Sequence, residues 1–407
     1  MNAHSLPETP PLSERELNHA NRRLPDPEQG GAHALPTADL DQNGLKWVEA
    51  KTSLYPYDTG WKGRRRRVLG GGGFRSHCYH VMSRTCGGAV HFDAVEKEAL
   101  RKILLRLAEF SGVRVLTYCV MKNHFHVLAE VPEQNSWVGR FSGSEGEQRL
   151  MRHLRILYSK SYVDQLKSEL ADWRGRGFEK MADSKLASIL RRFCDLPTFM
   201  KEVKERFSRW YNKRHKRKGT LWMDRFRSVL VEGKGDALRA VAAYIDLNPV
   251  RAGITSDPKE YRWCGYAEAL AGDPMMRSGI CRAMGEVEDG WERYSVRERY
   301  RDLLFDGGVE VRDSKDKVIR KGVPRRLAEQ VHRDGGRLSL RELVAQRVRY
   351  FSDGAALGGR EFVQRVFEDF RGMFSPRRVV GPRRIPHVES PLYSLRTLGK
   401  GNEGAVA

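Results

Sequence analysis

Two histidines stand one residue apart in "MKNHFHVLAEVP", residues 121–132. In a β-strand, side chains at i and i+2 point to the same face. His124 and His126 therefore project together, while Phe125 and Val127 face the other way. Imidazoles placed like this can share one divalent ion. An isolated H-x-H is more often two half-buried strand histidines bonded to backbone or carboxylates, so the motif needs partners. The best ones lie in "AVAAYIDLNPVRAG". Tyr244 and Asn248 are four apart, on one helical face and about one turn from each other. The Asn carbonyl oxygen suits a hard cation such as Mg²⁺ or Mn²⁺, and the Tyr phenol oxygen can act as a nucleophile. An ion held by His124, His126 and Asn248 could polarise a phosphate that Tyr244 attacks. Taken singly, Tyr244 could instead pack with Ala243 and Leu247, and Asn248 could cap the helix before Pro249.

The elements that must position these groups read as follows. "HCYHVMSR" alternates as a strand. A helix opens at Asp93, carries Leu100, Ile103, Leu104 and Leu107 at helical spacing, and closes at Gly112. "VRVLTYCV" and "HFHVLAEV" are strands joined through Met121-Lys122-Asn123, a connection far too short for a parallel crossover. A further helix, beginning after Pro197, aligns Phe199, Val203, Phe207 and Trp210. It is followed by the strand "RFRSVLVE" and by a helix from near Asp236 that Pro249 stops. The expected fold is α+β, a ferredoxin-like antiparallel sheet with packed helices.

Around this core the chain divides by texture. Residues 1–60 read as a disordered, acidic segment with five basic against nine acidic residues. Residues 61–73 form a basic Gly/Arg linker. The α+β core spans 74–272, with a charged helical insertion at about 134–195, and 273–407 reads as a mostly helical accessory region with a basic tail. No apolar run approaches the ~20 residues of a membrane-spanning helix, and the first residues lack the pattern of a signal peptide. Six scattered cysteines, none at C-x-x-C spacing, fit a reducing compartment. The expectation is a cytoplasmic protein, associated with the nucleoid through DNA.

The formal net charge is +21, so a polyanionic partner is expected, most simply nucleic acid. Segment 198–234 holds twelve Lys and Arg against four acids. The DNA-contacting candidates are Lys213, Arg214, Lys216, Arg217, Lys218, Arg225 and Arg227, with Arg64, Arg65, Arg66 and Arg67 in the linker. Trp222 is the aromatic expected to stack on bases, at ~1–3 kcal/mol each, whereas Phe226 reads as core. Tyr211 is a rival nucleophile, but position 215, four residues on, is a histidine rather than an amide or acid. Tyr118 reads as strand packing. Glu130 shares the face of the histidines but lies too far along to be a strong ligand.

The stretches "YHVMSR…FD", "VLTYCVMKNHFHVLAEVP", "FMKEVKERFSRWYNKRHKRKGTLWMDRFRSVLVE" and "YIDLNPVRAG" resemble, in order, the signatures of REP-associated tyrosine transposases, single-tyrosine members of the HUH endonucleases. The resemblance spans 74–272, interrupted by the insertion. It implies a metal-dependent cutter and rejoiner of single-stranded or hairpin DNA. On this pattern Tyr244 is the nucleophile, forming a 5′-phosphotyrosine link, and His124, His126 and Asn248 hold Mg²⁺ or Mn²⁺. Lys122 stands where the family usually has proline before the histidine motif. No nucleotide cofactor is implied, since no P-loop is present. Two other readings remain open: a non-cleaving nucleic-acid-binding regulator on the same fold, and a metallo-nuclease in which water attacks. The oligomeric state, monomer or dimer, stays undetermined at this level.

Overall fold

A computed structural model describes residues 76–88, 91–305, 310–312, 318–321, 344, 350–374, 376–386 and 388–395. The acidic segment 1–60, the linker 61–73 and its Arg64, Arg65, Arg66 and Arg67 lie outside the described residues.

The chain runs β1 (Ser76–Arg84), α1 (Ala94–Ser111), β2 (Arg114–Val120) and β3 (His124–Pro132). Asp93 caps α1 in a reciprocal capping box with Glu96, and Gly112 ends it in the left-handed conformation. Helices α2 (Gln134–Val138), α3 (Gly146–Leu154), α4 (Lys160–Gly175) and α5 (Glu179–Leu190) follow, where the sequence reads as an insertion. Then come α6 (Leu196–Arg214), β4 (Arg227–Val231), α7 (Gly235–Asp246) and α8 (Asn248–Arg251). Pro197 lies inside the first turn of α6 rather than before it, where its missing N–H costs nothing. Pro249 does not end the helical path either. The break comes at Leu247, and α8 restarts for one turn with Pro249 near its beginning.

Strands β2, β3, β1 and β4 are neighbours in that order, and all their pairings are antiparallel. This is the split βαββαβ arrangement of a ferredoxin-like sheet. Its two faces are distinct. Phe125, on the odd face of β3, meets Trp222, which touches Phe92 and Phe207 of the α6 side. On the even face, Met82 pairs with His126 and Arg84 with His124, and this is the face α7 covers.

Helices α9 (Gly265–Leu270), α10 (Pro274–Met284), α11 (Gly290–Arg293) and α12 (Val296–Phe305) complete the layer. A Cβ on Gly279 of α10 would sit 2.3 Å from the Leu116 carbonyl oxygen, so only glycine allows this approach to β2. Beyond a two-stranded unit of β5 (Glu310–Arg312) and β6 (Val318–Lys321) lie α13 (Tyr350–Asp353), β7 (Ala356–Gly358), α14 (Arg360–Asp369), β8 (Arg383–Arg384) and β9 (Tyr393–Leu395). Strand β7 pairs parallel to β4, and β9 and β8 extend the sheet to seven strands. The tail read as a basic extension thus includes short strands, two and three residues long, too short to show an alternating pattern. No helix among the described residues is long and apolar enough to cross a membrane.

Candidate active site

A cavity of about 740 Å³ opens on the even face of the sheet. Its wall includes His124, His126, Tyr244, Asn248 and Arg251. The strand places both histidines on one side, as their spacing requires, with ring centroids 5.1 Å apart. Helix α7 lays the Tyr244 ring 6.1 Å from His126 and 5.7 Å from His80.

The protonation pattern of the histidines follows from their partners. His80, on β1, is fully buried, and its Nδ1 lies 2.6 Å from the Phe351 carbonyl oxygen. Its Nε2 lies 2.9 Å from His126 Nδ1. His124 Nδ1 is 2.7 Å from the Asn123 side-chain oxygen. Burial, with Arg84 adding to it, pushes His124 down to about 4. Burial also pushes His80 down to about 4 and His126 well below the ordinary imidazole range, where protonation would also be opposed by the adjoining His80 and His124 rings and by Arg251 and Arg84. All three are neutral at pH 7. The Asn123 oxygen can only accept, so His124 carries its proton on Nδ1 and keeps a lone pair on Nε2.

Asn248 does two things at once. Its amide nitrogen donates to the carbonyls of Tyr244 and Ile245, at 3.1 and 3.0 Å. It therefore caps α7, as the bland reading holds. Those bonds use the amide hydrogens and leave Oδ1 as the acceptor. The break at Leu247 puts Asn248 in the next helix, but these bonds keep it one turn from Tyr244. Two imidazole nitrogens and one amide oxygen on this wall are the neutral donor types that could hold a small divalent cation. No group of three His, Cys, Asp or Glu side chains suited to a metal occurs among the described residues. With no carboxylate in the set, a phosphate would have to supply the balancing negative charge.

Tyr244 is only 9% exposed. The Arg251 guanidinium lies 4.0 Å over its ring, and the Phe351 ring is 4.8 Å away. Arg251 also donates to the Val344 carbonyl at 2.6 Å and to that of Tyr244. These contacts pack the ring closely. Arg84, Arg225 and Arg227 line the same cavity, against Asp224, so its rim is cationic.

One expectation comes out differently. Trp222, expected to stack on DNA bases, is 8% exposed, and its indole N–H donates to the Lys204 carbonyl at 3.1 Å. Packed against Phe92, Phe125 and Phe207, it is core, because the segment after Gly219 turns inward to bridge Thr85, just past β1. Tyr211 stacks on His215 at 4.1 Å and lies near His91, outside the cavity. Glu130 is held by Arg282, Arg114 and Ser76, and so is structural. Lys213, Arg214, Lys216 and Lys218 are exposed and Arg217 is half-buried. Arg214 and His215 both reach Glu96, and Arg217 donates to the Thr220 carbonyl. Motif reading alone does not reach His80, Arg84 and Arg251. A signal for the first two is nonetheless present in sequence: they alternate in "YHVMSR" on the face that meets the H-x-H strand.

Residues 74–145 match the family model described as "Transposase IS200 like". Over that segment the chain is similar to the IS200-like transposases. The match includes β1, α1, β2 and β3 and therefore both cavity histidines. A solved structure of a REP-associated tyrosine transposase bound to a REP hairpin aligns with 12% identity, covering 52% of this chain and 86% of that one, at a TM-score of 0.31. No curated protein matches the chain.

Proposed function

We propose that the chain is a transposase that cuts and rejoins single-stranded or hairpin DNA, with Tyr244 as nucleophile and a divalent metal, Mg²⁺ or Mn²⁺, held by His124, His126 and Asn248. The observation that carries this reading is the convergence of all four side chains on one cationic cavity, with the histidines neutral. A cation bound there would draw charge from the scissile phosphate and offset the charge developing in the transition state.

The chain's own groups do the rest. Arg251 and Phe351 pack against the Tyr244 ring and would limit its movement during attack. The Tyr244 oxygen bonds to phosphorus, and its proton passes through solvent water to the leaving 3′ oxygen. The bond from phosphorus to the 3′ oxygen breaks, and that oxygen leaves as a hydroxyl after taking a proton. The phosphate stays on the 5′ side, esterified to Tyr244. A later 3′-hydroxyl can reverse the step, because the ester keeps the bond energy. The 5′ polarity of the link rests on the family resemblance. Arg84, Arg225 and Arg227 would grip the strand on either side of the cut.

Water attack on the same metal site is the second reading, and the shielding of Tyr244 favours it. The deciding experiment is covalent trapping on a labelled single strand with Mg²⁺ or Mn²⁺. The expected result is a label that stays on denatured wild-type protein and is lost, together with cutting, in Tyr244→Phe. Cutting without an adduct would replace tyrosine by water. DNA binding without cutting would make the chain a regulator.

A further inference from the structure

We propose that His80 is a positioning residue that fixes the tautomer of His126 and so presents His126 Nε2 as a metal ligand; the inference rests on reading the cavity as a metal site. Donors and acceptors along the chain of bonds dictate the tautomers. The Phe351 carbonyl, 2.6 Å from His80 Nδ1, can only accept, so that nitrogen carries the hydrogen. A neutral imidazole has one N–H, so His80 Nε2 has only a lone pair. The atom facing it at 2.9 Å, His126 Nδ1, must therefore donate. The remaining nitrogen of His126, Nε2, is left with a lone pair on a ring that lines the cavity. Without this relay the ring could adopt the opposite tautomer, whose Nε2–H cannot ligate.

The surroundings support a built device. His80 sits on β1 between Leu128 of β3 and Val229 of β4, with no exposure, so its ring cannot drift. The two rings are near-parallel, 25° apart. Phe351 serves the site twice: its carbonyl orients His80, and its ring covers Tyr244. A ligand imidazole whose second nitrogen is fixed by a hydrogen bond is the usual way proteins hold a metal.

Two measurements test the inference, neither of which needs activity. In metal-free protein labelled with ¹⁵N-histidine, with the His126 signal assigned by its loss in His126→Ala, the expected signature is an Nδ1–H tautomer. An Nε2–H tautomer overturns the proposal. Paramagnetic-resonance titration with Mn²⁺ alone should show His80→Phe binding about 10- to 100-fold more weakly than wild type. His80→Gln, which keeps an acceptor toward His126, should recover part of that loss. Cutting by His80→Phe should then return as Mn²⁺ is raised. Equal Mn²⁺ affinity in His80→Phe and wild type overturns the role of His80. Should His80→Phe not fold, the tautomer and His80→Gln decide the matter: a Gln variant weaker than His126→Ala counts against the proposal. Wild type and His126→Ala binding Mn²⁺ alike would instead sink the metal reading itself.

Discussion

The Tyr300 hydroxyl donates to the Asp246 carboxylate at 2.6 Å, and both side chains are completely buried. Thr117 donates to the same carboxylate at 2.9 and 3.0 Å. Asp246 thus ties α7, two residues after Tyr244, to β2 and to α12. Burial raises its pKa to about 7, against the opposing pull of Tyr300, Thr117 and two backbone N–H groups. The sign of the pH effect follows from proton counting. Between about 4 and 7 the folded state holds a proton that the unfolded state has released, so stability from this group falls as pH rises through that window. Buried His80, His124 and His126, with lowered values, contribute the opposite slope. The measurement is therefore a difference: urea midpoints of wild type and Asp246→Asn at pH 5 and pH 7.5. Wild type should lose ground relative to the variant at the higher pH. Tyr300→Phe should cost about 1–3 kcal/mol, as expected when a buried acid loses a hydrogen bond.

Metal dependence can be separated from folding. His124→Ala and His126→Ala each remove a neutral donor from the cavity wall but leave the sheet pairing intact. Both variants should melt cooperatively and bind single-stranded DNA, yet cut poorly at every Mg²⁺ or Mn²⁺ concentration. Wild-type cutting rates in either variant would return the H-x-H pair to strand histidines of no chemical consequence.

Local periodicity made much of this site legible. The shared face of His124 and His126 follows from a two-residue repeat, and the nearness of Tyr244 and Asn248 from a helical turn. The order of strands and helices between 74 and 272 was open to the same kind of reading. The face of His80 was as well, but its role was not, because the group that defines it, the Phe351 carbonyl, is 271 residues away in sequence. Arg251 is hidden for a like reason, since Val344 is 93 residues on. Trp222 shows the opposite failure. An aromatic among arginines looks the same in sequence whether it awaits a base or fills the sheet's odd face, and only the tertiary packing separates the two.

The basic stretch at and just beyond the end of α6 should carry non-specific affinity, but its five cations are not equivalent. Arg214 is committed to Glu96 and Arg217 to the Thr220 carbonyl, whereas Lys213, Lys216 and Lys218 extend from the surface. Replacing the three lysines with Ser should lower the slope of log K against log[salt] by ~0.7 for every single-strand phosphate that is no longer neutralised. Replacing Arg214 and Arg217 alone should change the slope less. Equal slopes for wild type and the triple-lysine variant would show that this stretch does not touch DNA.

Trp222→Ala tests whether that ring belongs to the fold or to the ligand. The side chain is wedged among Phe92, Phe125 and Phe207, and its N–H is bonded to Lys204. Truncation should leave a cavity and remove the indole N–H bond to the Lys204 carbonyl, costing about 3–5 kcal/mol of stability. The urea midpoint should fall accordingly, while the salt slope of DNA binding, measured where the variant is still folded, stays unchanged. The ring also backs Phe125, on the strand that carries His124 and His126, so some loss of cutting would accompany the loss of stability. Trp222→Phe keeps most of the packing and should recover both together. A variant as stable as wild type but several-fold weaker for single-stranded DNA would put the indole back at the interface.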